Sequence, residues 1–299
     1  MGAAPEPSSD HGATVAAMRH LTRSMVWVVA LVAAFAIAVG VRGHVDLRAA
    51  LVVAFLCFAC ELIDSGLGMG YGTILTPTLL WIGYSPAEIV PTILLSELLS
   101  GFSAAFFHHH IDNVDLAPGG RDVGPASILA SASVLGVTGG VFVAMRLPGE
   151  VLAVGIGCVI LLSGLFVVLS TGRAIVYRRW RMMLLAVVAS FNKAVSGGGY
   201  GPLVTSGQIL SGVRGRASVG ITSFAEAFTC LFAVALFLGQ GGAIHFDLFL
   251  PMALGALLSV PFAVFAVRQA NEDHLKIVIG VLTLCMGVVT IVKGLRVLG

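Results

Sequence analysis

The chain has 299 residues, of which 58% are hydrophobic and 11% charged, with a mean hydropathy of +1.00 and a formal net charge of +2. A soluble domain carries roughly a quarter of its residues as Asp, Glu, Lys and Arg, so this composition excludes a water-solvated surface, and the small net charge gives no footprint for nucleic acid. A spanning helix needs about 20 mostly apolar residues, and such stretches recur almost end to end, so the chain is expected to be an all-α integral membrane protein.

Residues 1–24 read as a disordered tail, with Pro5, Pro7, Ser8, Ser9 and Asp10 near its start. Arg19 and Arg23 then precede a 17-residue apolar run from Met25 to Val41. It is longer than a usual signal core and lacks a clear small-residue cleavage site, so it predicts a retained extra helix over 25–46 with a cytoplasmic N-terminus. Further apolar stretches follow at 47–65, 73–83, 87–107, 124–145, 150–171, 182–196, 202–211, 216–239, 246–267 and 274–296. Two are too short to span. From Thr73 to Ile82 a helix reaches only about 15 Å at 1.5 Å per residue, half of a hydrocarbon core, and 202–211 has the same length.

These two stretches are related. A shift of 129 residues superposes Gly68, Gly70, Tyr71, Gly72, Thr76, Gly83, Val90, Glu97 and Ala104 on Gly197, Gly199, Tyr200, Gly201, Thr205, Gly212, Val219, Glu226 and Ala233, nine identities in 37 ungapped positions. Glycine bias does not readily produce a matching Tyr, Thr and membrane-embedded Glu. The reading is a duplication: a first transport repeat at 47–171, a basic cytoplasmic linker at 172–181 and a second repeat at 182–299. If each Gly-rich break is the tip of a re-entrant or broken helical hairpin, each unit is a hairpin plus three spanning helices. The second unit then starts on the opposite side, which makes the repeat inverted. Arg173, Arg178, Arg179 and Arg181 place the linker in the cytoplasm, and that choice puts eleven basic residues inside, five outside and Lys193 within the membrane, in keeping with the positive-inside rule.

The chemistry is expected at the tips, Gly66–Gly72 and Val195–Gly201. Irregular backbone at membrane depth is tolerated only when buried in protein or lining a wet cavity. Each tip precedes a half-helix whose N-terminus offers free N–H groups and the positive end of the helix dipole, an anion site. Gly68, Gly70, Tyr71, Gly72 and Thr76 in the first half, and Gly197, Gly199, Tyr200, Gly201 and Thr205 in the second, are the candidate substrate-binding residues, unless the glycines serve only helix crossing. Asn192 and Lys193 precede the second tip and join this set. A lysine inside an apolar segment costs about 2.5–3.5 kcal/mol on insertion scales, so it takes a ligand or a partner; the partner candidate is Asp64, its repeat equivalent, with Glu61 one turn earlier. Glu97 and Glu226 stand isolated in long apolar helices, each with a hydroxyl three residues on (Ser100, Thr229). With Asp64 they are candidates for proton coupling, or neutral caps of the neighbouring hairpin.

Other features carry less. Cys57-x-x-Cys60 lies in an apolar helix and reads as small buried hydrophobes. His108, His109 and His110 precede Asp112 and Asp115 and read as a solvated interfacial face rather than a metal tract. Trp27, Trp81 and Trp180 fall near helix ends, as interface anchors do. Gly136 and Gly140 form a small-xxx-small pair, within or between subunits. There is no H-E-x-x-H, Walker A or G-x-S-x-G pattern, so neither an enzyme nor an ATP-driven pump is expected, and no cofactor or metal.

The segments Gly66-Leu-Gly-Met-Gly-Tyr-Gly72, Leu75-Thr-Pro-Thr-Leu-Leu80 and Gly83-Tyr-Ser-Pro86, with their second-half echo, resemble the sulfite exporter family called TauE/SafE over roughly 47–296. That resemblance implies a duplicated protein of the bacterial inner membrane that moves sulfite, organosulfonates and related sulfur compounds. The usual first-half triple glycine reads Gly68-Met69-Gly70 here, while the second half keeps Gly197-Gly198-Gly199. The expectation is a secondary transporter exporting a small sulfur oxyanion, sulfite or a short organosulfonate such as sulfoacetate, coupled to protons. Its partners would be that anion, protons and membrane lipid, and export rather than uptake is carried by the resemblance alone. An uptake permease of the same fold and a passive anion channel are the alternatives.

Overall fold

The computed structural model describes residues 47–170 and 178–266, with residue 30 and residues 281, 284, 285, 287–292 and 295. The expected extra helix at 25–46, apart from Ala30, and most of the basic linker lie outside the described residues. Among the described residues all regular structure is helical: α1 (Leu47–Leu67), α2 (Tyr71–Ile82), α3 (Pro86–His110), α4 (Val123–Ala144), α5 (Gly149–Ser170), α6 (Arg179–Ser196), α7 (Tyr200–Leu210), α8 (Gly215–Gly239) and α9 (Phe246–Ala266). Six of these are long and apolar enough to cross a membrane: α1, α3, α4, residues 149–166 of α5, α8 and residues 246–265 of α9. Large apolar side chains stand on their outer faces, among them Phe55 (70% exposed), Leu135 (73%) and Phe262 (62%). A soluble monomer rarely exposes so much contiguous apolar surface; lipid covers it here. Trp81 and Trp180 are exposed near helix ends.

The breaks are set by glycine. α1 stops at Gly68, whose φ of 68° is left-handed and whose N–H donates to the Asp64 carbonyl; α6 stops the same way at Gly197, φ 72°, on the Lys193 carbonyl. Only glycine adopts that conformation without a Cβ penalty. Two residues on, the chain re-enters helix as α2 (12 residues) and α7 (11 residues), each reaching under 20 Å at 1.5 Å per residue. Ser85 and Glu88 then start α3 with a capping box, the Ser85 hydroxyl accepting from Glu88 N–H and the Glu88 carboxylate accepting from Ser85 N–H at 2.8 Å.

Packing follows a crossed pattern. α1 lies on α9, and α6 lies on α4; α3 and α8 pack on each other in the centre, α9 also on α3 and α4 also on α8. Small residues permit the closest crossings. A Cβ on Gly136 would overlap the Val187 carbonyl, and one on Gly140 would stand 2.7 Å from both Ala194 Cβ and the Phe191 carbonyl oxygen. The Gly136/Gly140 pair is thus an internal seam between α4 and α6. On α5, a Cβ at Gly157 would meet Ile291 at 2.8 Å, and one on Gly287 would meet the Leu161 backbone, so the stretch 287–292 lies along α5.

Overpacking a close crossing costs about 1–3 kcal/mol, whereas Gly155 on α5 has nothing within 4 Å of its missing Cβ. Gly140→Val is therefore expected to lower the thermal unfolding temperature in detergent, and Gly155→Ala to leave it unchanged or raise it slightly. Equal unfolding curves for the two variants would remove the α4–α6 seam from the account.

Candidate functional site

The two glycine tips meet backbone to backbone. A Cβ on Gly72 would overlap the Gly197 carbonyl, one on Gly198 would stand 2.5 Å from Gly72 C and Thr73 N, and one on Gly201 would overlap the Gly68 carbonyl. The Thr205 hydroxyl donates to the Gly68 carbonyl at 2.8 Å and lies 2.9 Å from the Thr222 hydroxyl, which Gln208 Nε2 also reaches at 2.9 Å. Gly68, Gly72 and Thr76 are thereby gathered with Gly197, Gly201 and Thr205 at the junction. Gly70 instead backs onto Ile63, and Gly199 backs onto Ser163 and Val159 of α5 with Asn192 half-buried beside it. Tyr71 and Tyr200 are fully buried and anchored through their hydroxyls to Ser96 at 2.8 Å and Ser133 at 3.1 Å.

The matched threonines differ. Thr205 is bonded across the junction, but Thr76, facing Gly197, has no partner for its hydroxyl although it is fully buried, and Thr73 one turn earlier is also unpartnered. A buried hydroxyl without a bond costs about 1–3 kcal/mol. The half-helix N-termini differ too. Asp64 accepts the Tyr71 N–H of α2 at 3.3 Å, while no side chain caps α7 at Gly199.

Below the tips lies the charge. Lys193, only 1% exposed, forms ion pairs with Glu97 of α3 and with Glu226 of α8, the latter at 2.8 Å. The sequence suggested Asp64 as its partner; instead the two repeat-equivalent glutamates hold it, because α3 and α8 cross at the centre while Asp64 turns to the backbone of α2. One lysine thus stands between two carboxyl groups in an apolar interior. Next to it is a cavity of about 10 Å³ whose polar lining is Glu61, Asp64, Ser65, Glu97, Ser100, Ser223 and Glu226, with Gly101 and Ala104 of α3 also lining it. That volume admits about one water.

Glu61, 2% exposed, accepts hydroxyl hydrogen bonds from Ser65 at 2.5 Å and Ser100 at 3.0 Å. Sequence reasoning used it only as a neighbour of Asp64. The histidine tract also needs correction: His110 is exposed and His109 half-buried, but His108 is fully buried, with Nε2 2.9 Å from the Ser65 carbonyl oxygen and Nδ1 2.9 Å from the Asn113 amide nitrogen. A signal for this existed, since Glu97, Gly101, Ala104 and His108 recur at helical spacing on one face. Cys57 and Cys60 are buried free thiols. Among the described residues no group of three or more His, Cys, Asp or Glu could hold a metal ion.

Broken helices meeting at their tips around buried, paired charges define a membrane transporter. A profile of the sulfite exporter TauE/SafE family matches residues 52–290, and the chain belongs to that family. It is 28% identical over 243 residues, 77% of this chain and 78% of the relative, to the probable membrane transporter protein YtnM of Bacillus subtilis (strain 168). No solved structure matches. The chain is therefore a multi-pass membrane transporter and not an enzyme.

Removing one member of a buried ion pair costs about 3–5 kcal/mol, because the other charge is left uncompensated. Lys193→Met is expected to lower thermal stability by that order, and adding Glu97→Gln and Glu226→Gln to recover most of it, as measured by unfolding in detergent. A single variant as stable as the wild type would show that Lys193 does not hold the junction.

Proposed function

We propose that this transporter moves a small sulfur oxyanion, sulfite or a short organosulfonate such as sulfoacetate, across the bacterial inner membrane, coupled to protons and in the export direction. The observation that carries the anion is the tip junction, where two half-helix N-termini face each other beside two buried hydroxyls without partners. Hydroxyl donors and helix N-termini suit an oxyanion, and the family description supplies the sulfur chemistry. An anion would not sit in the lower cavity, where Glu61, Asp64, Glu97 and Glu226 converge; that space suits protons. The two regions are joined by Asp64, which lines the cavity and also holds the Tyr71 N–H. An anion arriving at the α2 N-terminus competes with the Asp64 carboxylate, so occupancy of the anion site and the protonation of Asp64 are linked; co-loading alone gives symport, and export requires a return step that carries the proton without the anion. Glu97 and Glu226 join the coupling through their hold on Lys193.

An inverted repeat is the architecture that this reading uses. The crossed pairing of α1 with α9 and α6 with α4, and the matched left-handed glycines at 68/197, 70/199 and 83/212, support two related halves, 47–171 and 182–299; the bias of basic residues supports a cytoplasmic linker and N-terminus. The tips closed on each other correspond to an occluded state; substrate enters when they part.

Proteoliposomes test the reading. Sulfoacetate, whose charge is constant near neutral pH, and sulfite should bind the purified protein and accumulate against their gradients when a pH gradient is imposed. Dissipation of an anion gradient without uphill movement would mean a passive channel, and acid-driven movement only towards the cytoplasm an uptake permease. Thr76→Val removes an unbonded hydroxyl from the interior, so it should raise thermal stability slightly. It should also weaken oxyanion affinity about tenfold or more, since a hydrogen bond to a charged group is worth about 1.5–3 kcal/mol. Wild-type affinity in that variant would place the anion elsewhere.

A further inference from the structure

The carboxyls of the lower cavity exchange protons with water only if a path leaves the protein. His108 stands where such a path would run. It is on the same face of α3 as Gly101 and Ala104, which line the cavity, one turn further towards the loop 111–122. Its ring touches the backbone of cavity-lining Ser65 on one side and Asn113 of the loop on the other, next to exposed Asp112. Its Cβ lies 3.2 Å from where Gly220 of α8 would carry its own, so it fills the gap between α1, α3 and α8.

We propose that His108 is a gated proton relay between the loop 111–122 and the acidic cavity, with Glu61 as the carboxyl it serves and Asn113 as the latch. This rests on the proton-coupled reading above. The partners define the closed state. A carbonyl accepts, so Nε2 carries the hydrogen; an amide NH2 donates, so Nδ1 is the bare acceptor. The ring is held neutral in that tautomer. A proton can reach Nδ1 only when the Asn113 amide turns over and presents Oδ1 in place of Nδ2. The imidazolium then gives its Nε2 proton through the cavity water to the Glu61 carboxylate, and the ring is left neutral with its hydrogen on Nδ1. A half-turn of the ring then brings the Nδ1 hydrogen to the cavity side and the bare Nε2 to the loop side, where Asn113 closes on it; each cycle takes one proton at the loop and delivers one to Glu61.

Glu61 suits the receiving role better than the two glutamates named from the sequence. Glu97 and Glu226 share Lys193, whereas Glu61 is held by two serine hydroxyls and no described cation touches it. The other titratable groups facing this region are Asp64 and Cys60 on α1, Glu97 and His109 on α3, Glu226 on α8 and Lys193 on α6. α9 contributes Val260 and Val264, packed with Ala104, Phe107 and Ile111, so the relay is sealed from lipid on that side.

The test uses the full chain in proteoliposomes with sulfoacetate as probe, comparing wild type, His108→Gln and Glu61→Gln. Sulfoacetate counterflow, which moves no net proton, should persist in both variants near the wild-type rate, while pH-driven accumulation slows at least about tenfold. An independent readout needs no substrate: the ¹⁵N imidazole signal of His108, assigned by its loss in His108→Gln, should be that of the neutral Nε2–H tautomer with Nδ1 accepting. The relay is overturned if either variant accumulates at the wild-type rate, if counterflow falls in step with accumulation, or if the His108 signal is that of the Nδ1–H tautomer. A wild type that binds and exchanges sulfoacetate without any response to pH overturns the coupling itself, which separates that failure from failure of the relay. Should His108→Gln not insert, Glu61→Gln alone decides, because glutamine keeps both serine contacts.

Discussion

An ammonium group in the middle of an apolar slab has no water to solvate it, and two carboxylates beside it would repel each other without it. Lys193, Glu97 and Glu226 therefore stabilise one another only as a set, and the rest of the fold is arranged around keeping them together. α3 and α8 must cross closely enough for their glutamates to converge, and α6 must end at that crossing. α4 and α9 fill the flanks that this crossing leaves, and the glycine seam between α4 and α6 fixes the depth of Lys193. The tips follow from the same demand, since α6 stops at Gly197 one turn beyond the lysine.

Much of this was legible in the sequence because the signals are local. Gly68 and Gly197 mark helix ends by a backbone conformation that other residues avoid, and the short stretches after them cannot span. Ser85 and Glu88 announce a helix start within four residues. The isolation of Glu97 and Glu226 in apolar runs marks them as functional or paired wherever their helices lie. Partnership between distant elements was less legible. Lys193 and Asp64 occupy equivalent positions, which suggested proximity, but equivalence places residues in matching environments rather than in contact. Which carboxylate reaches the lysine depends on the crossing of α3 and α8, a property of packed surfaces that no stretch of either helix encodes.

His108 illustrates a different limit. Three consecutive histidines before acidic loop residues read by composition as a wet face, yet consecutive positions on a helix point about 100° apart, and only one of the three can share the face of Glu97. Periodicity taken from Glu97 onward would have separated His108 from its neighbours. The asymmetry between the halves was visible as residues but not as roles: Glu61 and Asp64 in one half stand where Ser190 and Lys193 stand in the other.

The junction of the tips has a mechanical consequence. Gly72, Gly197, Gly198 and Gly201 meet as bare peptide planes, so no side chains interlock at the four glycines themselves. What separation uncovers is amide and carbonyl, which water wets at low cost. A seam of interlocked leucines would have to be torn open against the hydrophobic effect; here the direct contacts are peptide against peptide, with a single Thr205–Gly68 hydrogen bond drawn across them.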